Sequence, residues 1–171
     1  GGVWFCDLRP AHDLESYVRC MEEGLDAEVQ GATVEERLIR IGEMLANRGD
    51  VLVILDNAEH TIPLAPDTVG RWYRQAPSAR FVITSRQSLG VPDERTEPLV
   101  SLTPSDGAHL FLERSIVNLD RKPDDPTLLQ LVEALDGLPL AIELAARWTD
   151  LLTPEQLLDR KDERFSYLQA D

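Results

Sequence analysis

The sequence is short of basic residues, of cysteine and of long apolar runs, and each shortage excludes a class of protein. Only 17 Lys and Arg stand against 31 Asp and Glu, so the formal net charge is −14. Such a chain repels a phosphate backbone or an anionic membrane surface, and we expect no direct contact with nucleic acid. No apolar run approaches the roughly 20 residues that cross a bilayer, which excludes a membrane-spanning segment.

Two cysteines, Cys6 and Cys20, are too few for a disulfide framework and form no Cys-x-x-Cys pair. This usage favours a reducing compartment. The sequence has no secretory signal pattern, so we expect a cytoplasmic location. It begins at Gly1 rather than Met, which suggests a processed or excised piece. Its 171 residues, 43% of them hydrophobic and 28% charged, predict one folded domain or one with a small appendage.

Short apolar runs alternate with amphipathic stretches over residues 1–102. Strands are predicted at 3–8, 51–55, 80–84 and, more weakly, 99–102. Helices are predicted to begin near Asp13, Thr33 and Asp67. The unbroken run Val51-Leu-Val-Ile-Leu55 is typical of a strand covered on both faces. The pattern therefore predicts an α/β fold, with a three-layer parallel sheet over 1–102.

The remaining residues, 103–171, have a different pattern. A capping side chain is followed three times by proline, at Thr103-Pro104, Asp125-Pro126 and Thr153-Pro154. Proline is favoured at the first position of a helix because its missing N–H would be unpaired there anyway. The pattern predicts a small all-helical subdomain.

Charged side chains lie at the carboxyl ends of the predicted strands, at Asp7, Asp56 and Arg86. Ligands of parallel sheets collect at the carboxyl ends of the strands, where these residues would meet. An acid directly after a buried strand has the form of a Walker B aspartate, which helps to bind Mg²⁺. An arginine just past the next strand could reach a terminal phosphate. Each residue also has a plainer interpretation, a turn or cap for Asp56 and a surface ion pair for Arg86.

Two further groups are open to more than one interpretation. Asp56, Glu59 and His60 are metal-ligand types within five residues and could belong to a metal-dependent hydrolase. Pro139, in Gly137-Leu-Pro-Leu140, marks a tight junction between helices. A rigid proline at such a corner could also press against a purine ring.

Three motifs occur in a fixed order along the chain: Leu52-Val-Ile-Leu-Asp-Asn-Ala-Glu-His60, Phe81-Val-Ile-Thr-Ser-Arg-Gln-Ser-Leu-Gly90 and Leu135-Asp-Gly-Leu-Pro-Leu-Ala-Ile-Glu-Leu-Ala-Ala146. With the flanking stretches 2–8 and 153–158, they cover nearly the whole chain. The chain resembles the STAND class of signalling ATPases, and within it the NB-ARC-like modules of bacterial transcriptional regulators. The resemblance implies a P-loop NTPase-like fold that ADP locks in a closed form and ATP releases to an open, oligomerising one.

By position, the resemblance implies ATP or ADP and Mg²⁺ as cofactors. It makes Asp56 the magnesium residue, Arg86 the sensor of the terminal phosphate and Pro139 the adenine contact. Glu59 and His60 match the same motif without an implied role. Asn57 stands where many ATPases carry a second acid, so at most slow ATP hydrolysis is implied.

One part of that fold is absent from the sequence. A P-loop has the form Gly-x4-Gly-Lys-Ser/Thr, and neither Lys122 nor Lys161 follows a glycine. The resemblance implies that the P-loop segment lies upstream of Gly1. It also implies two partners for the chain, this P-loop segment and an effector or DNA-binding domain. In the family the strand that leads to the P-loop lies between the strands that correspond to 80–84 and 99–102. Without it, three strands of this chain remain contiguous and the strand at 80–84 has a free edge. The alternative is a scaffold without a P-loop that binds other proteins and no nucleotide.

Overall fold

The computed structural model describes residues 1–159, in two compact units that divide between Glu97 and Pro98. The first unit contains β1 (Gly2–Asp7), α1 (Leu14–Gly24), α2 (Val34–Arg48), β2 (Val51–Asp56), α3 (Val69–Gln75) and β3 (Ala79–Ile83). The second contains α4 (Pro104–Arg114), α5 (Pro126–Ala134), α6 (Pro139–Arg147) and α7 (Pro154–Asp159). The end of the predicted helical subdomain, 160–171, lies outside the described residues. Within 1–159 no helix is long and apolar enough to cross a membrane.

The strands of the first unit form one parallel sheet in the order β1-β2-β3. Asp7 of β1 lies opposite Asp56 of β2, and Leu55 of β2 lies opposite Ile83 of β3. The α/β class and the three contiguous parallel strands are therefore confirmed. Because the chain moves across the sheet in one direction, right-handed connections bring the intervening helices to the same face.

The first two helices start where the capping residues predict, whereas α3 starts at Val69, two residues after the predicted Asp67, and has no side-chain capping hydrogen bond. The Asp13 carboxylate accepts a hydrogen bond of 2.8 Å from the Ser16 N–H at the start of α1. The Thr33 hydroxyl accepts one of 3.2 Å from the Glu36 N–H at the start of α2. These side chains satisfy N–H groups that have no partner within the helix.

One hydrophobic core fills the space between the sheet and its three helices. Tyr17, Leu45 and Trp72 come from α1, α2 and α3 respectively, and each is at most 1% exposed. The indole Nε1 of Trp72 donates a hydrogen bond of 2.9 Å to the Leu38 carbonyl, so this buried donor is satisfied. The strands contribute every second residue: Cys6, Val51, Val53, Leu55 and Ala79.

No helix of the first unit, residues 1–97, covers the opposite face of the sheet, which contradicts the predicted three-layer arrangement. Side chains of this face lie in two rows across the strands, Val3, Leu52 and Arg80 in one and Phe5, Ile54 and Val82 in the other. Val3, Phe5 and Val82 are 67%, 55% and 51% exposed. We call these six residues the open face. The first unit therefore has two layers, because all three of its helices pack on the other face.

The weak strand predicted at 99–102 is also wrong. Leu99 and Val100 are 95% and 84% exposed, and residues 98–103 have no regular structure. A strand requires a neighbour for its N–H and C=O groups, and no described strand lies beside this segment. Instead, the Leu102 N–H donates a hydrogen bond of 2.9 Å to the Gly137 carbonyl within the second unit.

The second unit is helical through its described part and has a core of its own. Phe111 of α4, Leu128 of α5 and Ile142 of α6 are fully buried in it. The three predicted proline-led helix starts are those of α4, α5 and α7. At the last of these, the Gln156 side chain accepts a hydrogen bond of 2.9 Å from the Thr153 N–H, as in a capping box.

Candidate functional site

The carboxyl ends of the strands bring together several of the side chains that the sequence singles out. Asp7 and Asp56 are the last residues of β1 and β2 and face each other across the strand pair. Arg86 follows the end of β3 by three residues. We call this region, together with the turn at 56–60, the carboxyl edge.

Asp7 is bound by Arg9, a residue the sequence analysis did not single out. The guanidinium donates from Nε and Nη2 to Asp7 Oδ2 at 2.8 and 2.6 Å. The hydrogen bonds from Arg9 hold the pKa of the Asp7 carboxyl below its ordinary value, so it stays ionised at neutral pH. The Arg9 side chain is 74% exposed, so this ion pair lies at the surface of the carboxyl edge.

Asp56 is held by two neighbouring side chains. The Thr84 hydroxyl donates to Asp56 Oδ1 at 2.5 Å, and Asn57 Nδ2 donates to Asp56 Oδ2 at 2.8 Å. Asn57 has a left-handed backbone, with φ of 61°, which turns the chain sharply after β2. The carboxylate is therefore fixed at the end of the strand and remains partly open to solvent.

Arg86 is paired with Glu59, although loosely. Its Nε lies 3.8 Å from Glu59 Oε1, and the Arg86 side chain is 89% exposed whereas that of Glu59 is 21% exposed. An ion pair so open to water contributes little to stability. The guanidinium is therefore free to exchange this carboxylate for another anion at small cost.

The metal-cluster interpretation of Asp56, Glu59 and His60 is wrong for the part of the chain that the structure describes. No group of three or more His, Cys, Asp and Glu side chains within 1–159 could hold a metal ion. The reason is the short 3₁₀ turn over Ala58–His60, which directs the three side chains to different neighbours. Glu59 lies by Arg86, and the imidazole of His60 lies 6.3 Å from that of His12.

A single Mg²⁺ ion needs fewer protein ligands than a metal site that is built from protein side chains alone. Mg²⁺ is usually bound through one or two carboxylates, several waters and the phosphates of a substrate. Asp56 supplies a fixed carboxylate, and the neighbouring donors, Thr84 and Asn57, leave each of its oxygens with an unused lone pair. The two carboxylate oxygens of Asp56 are hard donors of the kind that Mg²⁺ prefers.

Pro139 belongs to the second unit, where it is the first residue of α6. It stands in an exposed apolar corner, between Leu138 at 45% and Leu140 at 67% exposure. Gly137 begins this corner with a φ of 62°, a conformation that favours glycine. A Cβ at Gly137 would lie 2.5 Å from the Leu102 carbonyl oxygen, so only glycine fits here.

Two residues of the carboxyl edge, Arg9 and Thr84, carry contacts that the sequence analysis missed. A signal for Thr84 existed, since it follows the third apolar run directly and begins the string Thr84-Ser-Arg86. Arg9 gave a weaker signal, an arginine two residues after the acid that ends the first strand. In both cases the hydrogen bonds depend on a turn at the end of a strand, and the sequence does not reveal the shape of that turn.

No protein-family profile matches the chain. It is 32% identical, over 96% of its length, to uncharacterised proteins of Mycobacterium tuberculosis and Mycobacterium bovis, and spans 42% of their length. It is 26% identical, over 98% of its length, to candidate HTH-type transcriptional regulators of the same two species, of which it spans 19%. The chain is thus similar to candidate transcriptional regulators. It spans less than half of the length of these relatives.

Proposed function

We propose that this chain is the nucleotide-binding and oligomerisation segment of a STAND-type regulator that is switched by ATP and ADP. Asp56 would bind Mg²⁺, Arg86 would contact the terminal phosphate and Pro139 would contact adenine. A neighbouring segment with a P-loop would complete the fold. The observation that carries the proposal is that a fixed carboxylate, Asp56, and a loosely paired arginine, Arg86, lie at the same carboxyl edge.

Two features of the sheet, its free edge and its open face, support the proposal that a neighbouring strand and helix complete the fold. The outer edge of β3 has no partner among the described strands, and an open groove of about 740 Å³ runs along it, lined in part by Arg80, Val82 and Val91. A parallel strand at this edge that connected to β1 would cross the sheet in the direction opposite to the other connections. Right-handedness would put its connecting helix on the open face.

The dimensions of the open face agree with one such helix. Its three strands lie about 4.8 Å apart, so the outer two are separated by about 10 Å, close to the diameter of an α-helix. Phe5, Ile54 and Val82 form an apolar row across this width. One strand followed by one helix would therefore satisfy both the free edge of β3 and the open face, and strand followed by helix is the arrangement of a P-loop segment.

Similarity to candidate regulators supports the regulatory part of the proposal, and the acidic composition supports a role away from DNA. With a net charge of −14 the chain would be repelled by a phosphate backbone. A DNA-binding domain would then belong to another part of the regulator. In this arrangement the chain senses nucleotide and passes on a change of conformation.

The residues of the carboxyl edge would divide the work of sensing. Bound Mg²⁺ would neutralise the charge of the outer phosphates, and Asp56 would hold it there. Arg86 would exchange Glu59 for the terminal phosphate, and only a triphosphate offers that group. Asn57, in place of a second acid, cannot accept a proton from an attacking water, so the bound ATP would persist and hydrolysis would be slow.

The test compares the affinities of the native protein, including whatever sequence flanks these 171 residues, for Mg-ATP and Mg-ADP by isothermal titration. Arg86→Ala should weaken ATP binding about tenfold more than ADP binding, because a hydrogen bond to a charged group is lost. Arg40→Ala is the matched control, since Arg40 is an exposed arginine of α2 without an ion pair among the described residues. Equal losses for both nucleotides in Arg86→Ala would refute the sensor role.

The second candidate function is a scaffold that contacts other proteins and binds no nucleotide. The open face and the free edge of β3 favour it, because exposed apolar surface of this kind marks interaction sites. Absence of any binding of Mg-ATP or Mg-ADP to the native protein would support the scaffold and refute the switch.

A further inference from the structure

Thr84 joins the ends of two strands through four hydrogen bonds. Its backbone N–H donates to the Leu55 carbonyl and its carbonyl accepts from the Ala58 N–H, both at 3.0 Å. Its hydroxyl accepts from the Asn57 N–H at 3.0 Å and donates to Asp56 Oδ1 at 2.5 Å. The same residue thus contacts the last two residues of β2 and the turn that follows.

The direction of the hydroxyl bonds follows from the number of protons available. The Asn57 N–H can only donate, so the hydroxyl oxygen accepts from it and its one proton goes to Asp56. A hydrogen bond to an ionised carboxylate is short and strong, in agreement with the 2.5 Å separation. On the other side, Asn57 Nδ2 binds Asp56 Oδ2, so the carboxylate cannot rotate without losing one of these bonds.

We propose that Thr84 is a positioning residue for Asp56, and that it sets the affinity for Mg²⁺ without contacting the nucleotide. This inference rests on the proposed function. The hydroxyl holds the carboxylate in one rotamer and leaves each oxygen a lone pair for the cation. Partners of this kind, behind a metal-binding residue, typically change metal affinity 10- to 100-fold when they are removed.

The experiment measures ATP affinity of the native protein in excess Mg²⁺ and in excess chelator, and takes the ratio of the two. The variants are Thr84→Val, which keeps the shape and removes the hydroxyl, Thr84→Ser, which keeps the hydroxyl, and Asp56→Ala. The ratio should fall about 10-fold in Thr84→Val, stay at the wild-type value in Thr84→Ser and reach one in Asp56→Ala. The double variant Thr84→Val/Asp56→Ala should equal Asp56→Ala, because Thr84 acts through that carboxylate.

A purely structural role would lower both affinities together and leave their ratio unchanged, since a smaller folded fraction affects the two measurements equally. Thr84→Ala gives a second removal of the hydroxyl if Thr84→Val folds poorly. A wild-type ratio in Thr84→Val, with a ratio of one in Asp56→Ala, would overturn the inference and leave the proposed function standing. A wild-type ratio in Asp56→Ala would overturn the magnesium assignment and the role of Thr84 with it.

Discussion

Threonine in place of valine, at one position on each face of the sheet, tests whether the first unit has two layers or three. Val53 of β2 is fully buried against the helices, whereas Val82 of β3 is 51% exposed on the open face. The substitution exchanges a methyl group for a hydroxyl of nearly the same size. Both side chains are branched at Cβ and favour strands, so shape and strand propensity change little and polarity changes alone.

The expected free-energy changes follow from the surroundings of the new hydroxyl. In Val53→Thr the hydroxyl would be buried among apolar side chains, which costs about 1–3 kcal/mol in proteins. In Val82→Thr of the 171-residue chain, measured without the neighbouring segment that the proposed function places on the open face, it would remain in water. A surface substitution of this kind changes stability by no more than about 0.5 kcal/mol. We therefore expect the two variants to differ by about 1–2 kcal/mol in the free energy of unfolding.

Urea unfolding followed by tryptophan fluorescence measures this difference, since two of the three tryptophans, Trp4 and Trp72, belong to the first unit. The free energy of unfolding must have the same slope against urea concentration in both variants, so that a shift of the unfolding midpoint reports a change of stability. Equal destabilisation by Val53→Thr and Val82→Thr would refute the open face, because it would require apolar cover on both sides of the sheet. If Val53→Thr left the free energy of unfolding unchanged, the burial of Val53 in the hydrophobic core would be refuted.

Two other predictions concern the second unit and the cysteines. Gly137→Ala should lower the melting temperature of the protein, because the new Cβ would meet the Leu102 carbonyl and the backbone φ of 62° disfavours alanine. Gly90→Ala is the control, since Gly90 also has a positive φ but has open space around it. Equal shifts of the melting temperature in the two variants would refute the close contact at Gly137. Burial raises the pKa of the Cys6 thiol to about 12, and burial also raises the pKa of the Cys20 thiol above its ordinary value. Iodoacetamide should therefore label neither cysteine in the folded protein and both cysteines in guanidinium chloride. Rapid labelling of the folded protein would contradict the buried placement.

The three strands of the first unit could be predicted because each is a short apolar run that ends in polar residues. The run Val51–Leu55 also predicted a covered sheet on both faces, and here the structure differs. A continuous apolar pattern indicates that side chains on both faces of a strand are apolar, but it does not show whether a segment covers each face. The same limit applies at 99–102, where Leu99 and Val100 are apolar but have no neighbour to pair with among the described strands.

The candidate site was predictable only in part, for a related reason. Asp56 and Arg86 could be assigned to one edge because the carboxyl ends of parallel strands meet. The contacts of Thr84 could not, because they depend on the left-handed backbone of Asn57, which its sequence neighbours do not reveal. The bond between Arg9 and Asp7 likewise depends on the turn after β1.

The charge of the chain and its open surfaces together limit how it could act in a transcriptional regulator. Under the proposed function, a segment with a net charge of −14 would add repulsion rather than affinity at DNA, so its contribution to control would come from contacts with protein. The open face and the outer edge of β3 are the surfaces of the first unit that are ready for such contacts. Both adjoin β3, the strand that leads to Thr84 and Arg86. Under the proposed function, a change at Arg86 on nucleotide exchange would therefore act on the strand whose free edge the neighbouring segment occupies.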